Sequence, residues 1–419
     1  MSLRLRTVIP VLVLLLAAAT ATARADVIID WNAKAEAIGI DKRLQPPPNA
    51  RGMAMMHVAM FEAVNAVTRR YSPYRLKLVA DPGASSDAAA AAAAAAAAHG
   101  VLVGLFPDQQ ASLDTSLKAS LASLPDGDAK AKGLALGQKA AAGILALRAN
   151  DGISATESYR PVTTAGAYVP TVVPASTTVG QMTPWVMSSG AQFRPGPPPS
   201  LASLTWTADL NEIREIGGQG STKRSAEQTE IGRFWVATGP HCWNPIVRQL
   251  AAAKKLDLTD SARLFALVSI ATAESFIAVF EAKYQYNLWR PITALRNADI
   301  TGNAATPRDA AWLPLVDTPM HPEYPCAHCI SSSAAATVMQ QVLGDDLPEF
   351  SMTSPALPGV TRRWTRLKDY SDEVSNARIY GGIHYRFSTV VGQEMGRNIA
   401  DLTVKTQLLA VSPPVASGR

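Results

Sequence analysis

Eleven consecutive alanines, Ala88 to Ala98, set the firmest limit on what this chain can fold into. Alanine enters a helix without losing side-chain entropy and has the highest intrinsic helix preference. The run follows Asp87, a suitable N-cap, and continues through apolar residues to Phe106, which favours a helix over a low-complexity linker. The stretch "ARGMAMMHVAMFEAVNAVTRRY" points the same way. It sets Met53, Met56, His57, Met60, Phe61 and Val64 at three- and four-residue steps, an amphipathic stripe. Helical patterns recur near 108–123, 128–149, 225–236, 242–255, 260–289, 330–343, 366–380 and 384–407. No segment alternates with period two and β-branched enrichment, so an all-α fold with little sheet is expected.

Residues 1–25 read as a secretory signal peptide. Arg4 and Arg6 precede the apolar run "VIPVLVLLLAAA", and Ala23-Arg24-Ala25 offers a small-x-small cleavage site. The expectation is a secreted or periplasmic protein with no stable membrane span. Cleavage removes three arginines and no acids, so the formal net charge falls from +5 to +2. No dense Lys/Arg cluster appears elsewhere, which argues against a nucleic-acid surface. Residues 26–150 form an N-terminal helical region. Residues 151–202, rich in Pro, Gly, Ser and Thr, form a connection that either borders a site or acts as a spacer. Residues 203–419 form a C-terminal helical bundle.

The segment "HPEYPCAHCISSSAAATV", from His321 to Val338, concentrates the candidate chemistry. Ile330, not histidine, follows Cys329, which excludes a c-type haem anchor. No second ligand pair is spaced for structural zinc, and no α/β pattern supports a thioredoxin-like site. A local Cys326–Cys329 disulfide stays open. Upstream, "EAKYQYNLWRPITALR" sets Lys283 and Arg290 seven residues apart, close to two helical turns, so one helix face is expected to carry both. Downstream, "NARIYGGIHYRF" supplies Arg378 and His384 around a Gly381-Gly382 bend. Each residue alone is more often a surface ion pair or a core histidine. Together with backbone N–H groups at a Pro-initiated helix start, they suit a tetrahedral oxyanion.

Lys283…Arg290-Pro291, Pro325-Cys326-Ala327-His328 and Arg378…His384 occur in this order. This set resembles the vanadium-dependent haloperoxidase and type 2 phosphatidic acid phosphatase superfamily, and "RGMAMMHVAMFEAVNAV", "ILALRANDG" and "FRPGPPP" are similar to bacterial chloroperoxidase-type members. The resemblance implies two four-helix bundles with the site in the second, and vanadate, or phosphate in the same pocket, as the ligand. It implies Lys283, Arg290 and Arg378 on the equatorial oxygens, with the Ala327 N–H and the Cys326 side chain as further donors. His384 is the apical ligand or nucleophile and His328 the acid/base, with Phe280, His321 and Ser388 in support. Reaction partners would be hydrogen peroxide and halide for a haloperoxidase, or a phosphate ester for an acid phosphatase working through a phosphohistidine. A non-catalytic oxyanion-binding relative is the third reading.

This sequence departs from the family pattern in three places. Cys326-Ala327 replaces the usual Ser-Gly; a thiol donates more weakly than a hydroxyl, and alanine would resist a positive φ. Ser388 stands where many members place an aspartate that orients the histidine. His321 matches a histidine of bromide-preferring algal members, which implies an imidazole titrating near neutral pH and a preference for bromide and iodide.

Overall fold

The computed structural model describes residues 26–84 and 86–411. The expected signal peptide and its cleavage site at 1–25 lie outside these residues. Among the described residues there are thirteen α-helices and one two-stranded sheet, the all-α architecture that the patterning predicts.

The N-terminal half comprises α1 (Val27–Asp41), α2 (Pro46–Thr68), α3 (Asp87–Leu105), α4 (Gln110–Ala122) and α5 (Asp128–Leu147). The alanine run is the core of α3, with Ala89 to Ala98 all buried. Its N-cap is Ser86, whose hydroxyl accepts from the Ala89 N–H at 3.2 Å, so Asp87 is the first helical residue and not the cap. Two smooth backbones meet here: a Cβ at Gly137 of α5 would lie 2.2 Å from the Ala93 carbonyl oxygen, and one at Gly133 would lie 2.3 Å from that of Ala89. Helix α2 corrects the amphipathic expectation. Residues 52–65 are all buried, so its methionines face neighbours on every side.

Between Asp151 and Ser203 the chain forms no α-helix, only the 3-10 turn Val179–Gln181. It is nonetheless anchored. Arg148 donates to the Thr183 carbonyl at 2.7 Å, and the Met187 N–H donates to the Glu274 carboxylate at 2.7 Å.

The C-terminal half contains α6 (Leu204–Glu212), α7 (Ala226–Phe234), α8 (Asn244–Ala253), α9 (Leu258–Tyr286), α10 (Pro291–Arg296), α11 (Ala327–Leu343), α12 (Leu367–Tyr380) and α13 (Arg386–Thr406). Antiparallel β1 (Phe350–Ser354) and β2 (Leu357–Trp364) interrupt it, with Phe350 opposite Trp364. Helix α9 is the shared spine, packing on α2 on one side and on α11 and α13 on the other. One apolar cluster therefore runs through both halves. Each fully buried Leu, Ile or Phe along it contributes roughly 1.5–3 kcal/mol. By length and composition α3 and α9 could each cross a bilayer, but 94% of the most apolar window of α9 is buried inside the fold.

Candidate functional site

The cavity that holds the candidate residues has a volume of about 220 Å³. Ala327, His328, Arg378 and His384 form its polar end, Phe276, Phe280, Val316 and Met320 supply apolar wall, and Ala175 and Ser176 bring in the helix-poor connection. That connection borders the site.

The seven-residue step from Lys283 to Arg290 is not one helix face. Helix α9 stops at Tyr286, Asn287 takes the left-handed conformation (φ 49°), and Arg290 is extended as the N-cap of α10. The two cations meet by gripping one segment instead. Lys283 Nζ donates to the carbonyls of Pro322 (2.9 Å) and Glu323 (2.7 Å), while Arg290 Nε donates to that of His321 (2.9 Å). Both cations sit behind the cavity lining.

Arg378 comes from the last turn of α12 and donates to the Trp235 carbonyl at 2.5 Å. Its Nε is buried without a partner. Gly382 (φ 77°) then turns the chain so that His384 precedes α13. A side chain there would fail twice, since a Cβ would also lie 2.3 Å from the Gly217 carbonyl oxygen.

His384 Nδ1 donates to Glu323 Oε1 at 2.7 Å, and the same oxygen accepts from the Tyr385 N–H at 3.0 Å. Arg290 Nη1 lies 3.2 Å from His384 Nε2. A guanidinium only donates, so Nε2 holds a lone pair and the proton is on Nδ1. Arg290 Nη2 also lies 3.0 Å from His321 Nδ1, and the same nitrogen stands 3.1 Å from the Pro322 carbonyl oxygen. The His321 ring meets Phe280 edge-on at 5.1 Å. His328, in the first turn of α11, lies 3.2 Å from the Ala237 carbonyl through Nε2.

Burial and mutual repulsion dominate the electrostatics. Burial first, then Arg290, holds the Lys283 ammonium well below its usual range. Arg290 falls to about 10 and Arg378 to about 9, again chiefly through burial. His321, His328 and His384 are all held well below the ordinary imidazole range by burial and the cations around them. This corrects the expectation that His321 titrates near neutral pH in the ligand-free protein. Glu323 is the one carboxylate among these cations, and burial lifts it to about 7 against the pull of Lys283 and Arg290.

The Cys326 side chain is also corrected. It forms a disulfide with Cys329, so its sulfur has no proton to donate to an oxyanion. Cys326 is instead the N-cap of α11, its sulfur accepting from the Cys329 N–H at 3.1 Å. Ala327 lies in the first helical turn, and it is not among the positive-φ residues, so alanine is unstrained there. Its N–H, like that of His328, has no intrahelical acceptor. Ser388 is fully buried and near enough to pull the Glu323 pKa down, although its Oγ and Glu323 Oε2 lack a well-aligned hydrogen bond.

Sequence reasoning missed Glu323, the Trp235 and Ala237 carbonyls, and His241, whose charge would add to the repulsion on His328. Of these, only Glu323 left a signal: it is the one acid in the histidine-rich segment, and position 388 lacks one. Among the described residues no cluster of three His, Cys, Asp or Glu could cage a metal ion. The donor set, rich in buried cations and with Arg378 Nε orphaned, fits a multiply charged oxyanion such as vanadate.

Residues 263–411 match the family described as the VCPO second helical-bundle domain. The vanadium chloroperoxidase of Curvularia inaequalis is 25% identical over 287 residues, covering 52% of this chain. The match spans about half, 46%, of that curated relative's length. The crystal structure of a bacterial vanadium-dependent iodoperoxidase is similar at a TM-score of 0.75 and 27% identity, over 93% of this chain and 97% of that one. The apo form of a bacterial vanadium-dependent chloroperoxidase, at 16% identity and a TM-score of 0.69 over 85% of this chain and 92% of its own, is alike in fold. Residues 263–411 thus match a vanadium haloperoxidase domain in sequence, and nearly the whole chain shares the helical fold of the bacterial vanadium haloperoxidases.

Proposed function

We propose that this chain is a secreted, vanadate-dependent haloperoxidase that oxidises halide with hydrogen peroxide, favouring bromide and iodide. The observation that carries the reading is the crowd of buried cations, Arg378 on the cavity lining with Lys283 and Arg290 behind it, with a single carboxylate bound to His384. Buried charges of one sign are costly unless a counter-ion completes them. The vanadium haloperoxidases among its relatives support vanadate as that counter-ion. The Cys326–Cys329 disulfide is consistent with an oxidising compartment and so supports secretion.

Lys283, Arg290 and Arg378 would hold the anion's charge, and the first-turn N–H groups of α11 would add neutral donors. His384 would offer its Nε2 lone pair as the protein ligand. Bound vanadate supplies a Lewis-acidic centre that activates peroxide without changing oxidation state. His328, on the cavity wall, would hold or release a proton at Nδ1, since Nε2 is engaged by the Ala237 carbonyl. An anion in the cavity would raise the pKa values that the cations now depress, which brings His328 toward its working range. The apolar walls from Phe276, Phe280 and Met320 would limit water around the oxidant. His321, which lines the cavity edge-on to Phe280, is the residue proposed to set halide preference.

A phosphatase reading has one observation in its favour: a neutral His384 backed by Glu323 is also an apt nucleophile toward phosphate. One experiment separates the two. Purified protein is loaded with orthovanadate and assayed for bromide and iodide oxidation by peroxide, beside phosphatase activity without vanadate. The expected result is halide oxidation only when loaded, lost in His384→Ala and altered in halide ratio in His321→Phe. Phosphatase turnover alone would overturn the proposal, and binding without either activity would leave an oxyanion-binding relative.

A further inference from the structure

We propose that Glu323 takes over the task of the aspartate absent at position 388: it is a positioning residue that fixes His384 with its proton on Nδ1 and its Nε2 lone pair available to the oxyanion. The inference rests on the reading of His384 as the oxyanion's ligand, but the tautomer it specifies exists without any ligand.

Three observations carry it. Glu323 is fully buried, and its Oε1 accepts from both His384 Nδ1 (2.7 Å) and the Tyr385 N–H (3.0 Å). The carboxylate thus holds the ring and the backbone beside it. Next, the Glu323 main chain is clamped at both ends, its N–H donating to the Leu288 carbonyl at 2.8 Å and its carbonyl accepting from Lys283 Nζ at 2.7 Å. The orienting acid therefore cannot drift away from the imidazole. Last, Arg290 Nη1 faces Nε2 at 3.2 Å, a contact that the other tautomer would turn into donor against donor. Ser388, fully buried near the same carboxylate, is neutral and cannot supply this anchor. The acid has moved from the helix that follows His384 to the segment that precedes α11. A partner behind a metal-binding histidine sets its tautomer and basicity, and losing it typically costs about 10–100-fold in affinity.

The test uses the full mature chain in four forms: wild type, Glu323→Ala, Glu323→Gln, and Glu323→Ala combined with Ser388→Asp. Long-range ¹H–¹⁵N correlation spectra of the ligand-free protein read the His384 tautomer, and isothermal titration with orthovanadate reads affinity. Wild type should show protonated Nδ1. Glu323→Ala should show Nε2 protonation and lose at least about tenfold in affinity. The double variant should recover both, because an acid at 388 restores the anchor by the other route. Glu323→Gln keeps the shape and serves if the alanine form does not fold; it should lose affinity through the missing charge. Protonated Nδ1 and unchanged affinity in a folded Glu323 variant would overturn the proposal. A wild type that shows the Nδ1 tautomer, dependent on Glu323, yet never binds orthovanadate would instead overturn the vanadate reading and leave the positioning role standing.

Discussion

The helix pairs α3/α5 and α11/α13 are built by the same device and put it to different ends. In each, two glycines four residues apart let one helix lie directly on its partner's backbone. At Gly137 a Cβ would stand 2.2 Å from the Ala93 carbonyl oxygen, and at Gly396 it would stand 2.3 Å from that of Ile330. The first pair seals alanine against alanine, and nothing chemical hangs on its spacing. The second pair fixes the start of α11, where Cys326, Ala327 and His328 sit, and a Cβ at Gly392 would lie 2.7 Å from the Cys326 carbonyl oxygen. Close packing gives stability in one place and register for the site in the other.

The largest effect should follow from Gly396→Ala. Its methyl meets a backbone carbonyl that cannot swing aside, so stability should fall by about 3 kcal/mol in urea titration. Because α11 must shift, orthovanadate affinity in the folded fraction should fall with it. Gly137→Ala should cost a similar amount of stability and leave affinity unchanged. Equal losses of affinity in the two variants would break the division of labour between the pairs.

A third effect, smaller, isolates the disulfide. Replacing Cys326 and Cys329 together by alanine removes a four-residue covalent loop worth about 2 kcal/mol in the chain-entropy picture. Stability measured by denaturant should drop by about that much, and a little more for the lost N-cap. Affinity for orthovanadate should hold, since the sulfur offers the cavity no proton. If affinity collapses while the fold survives, the second pair places the site through the disulfide as well as through its glycines.

The smallest effect concerns the spine that both pairs lean on. Burial lifts Glu274 of α9 to about 7, against the backbone N–H groups of Val186 and Met187 that favour its charge. A carboxyl raised in the fold favours the native state fully below its unfolded value near 4.5, and loses that contribution as pH rises through about 7. Melting temperature should therefore decline across that window, and Glu274→Gln should flatten part of the decline. Glu323, raised for the same first cause, would keep the remainder. An unchanged slope in Glu274→Gln would show that this carboxyl is ionised throughout.

The architecture was legible because helix signals are local. The alanine run, the spacing of the methionines in α2 and the long apolar stretch of α9 each announce themselves within a few turns. Burial on every side of α2 was not legible, since a helix wrapped by neighbours and one with a single apolar face can share a methionine stripe. At the site, the residue types were readable in order, but their meeting was not. The seven-residue step suggested a shared helix face, whereas Asn287 ends α9 and Pro291 opens α10, so Lys283 and Arg290 come together through the carbonyls of 321–323. Glu323 looked like a loop acid. Its partner His384 lies 61 residues away, and only tertiary structure joins them.

The unpaired Nε of Arg378, buried beside the cavity among other cations, has a consequence for how the protein behaves in ordinary buffers. A pocket assembled before its guest arrives is open to any tetrahedral dianion of similar size. A ligand that binds only the native state adds stability by mass action, about 2.7 kcal/mol at a hundredfold excess over its dissociation constant. Phosphate and sulfate should thus protect this fold against heat while competing for the seat proposed for vanadate. Occupancy then depends on the ratio of competing anions as much as on intrinsic affinity, and the same chain can be stable and idle in a phosphate-rich medium.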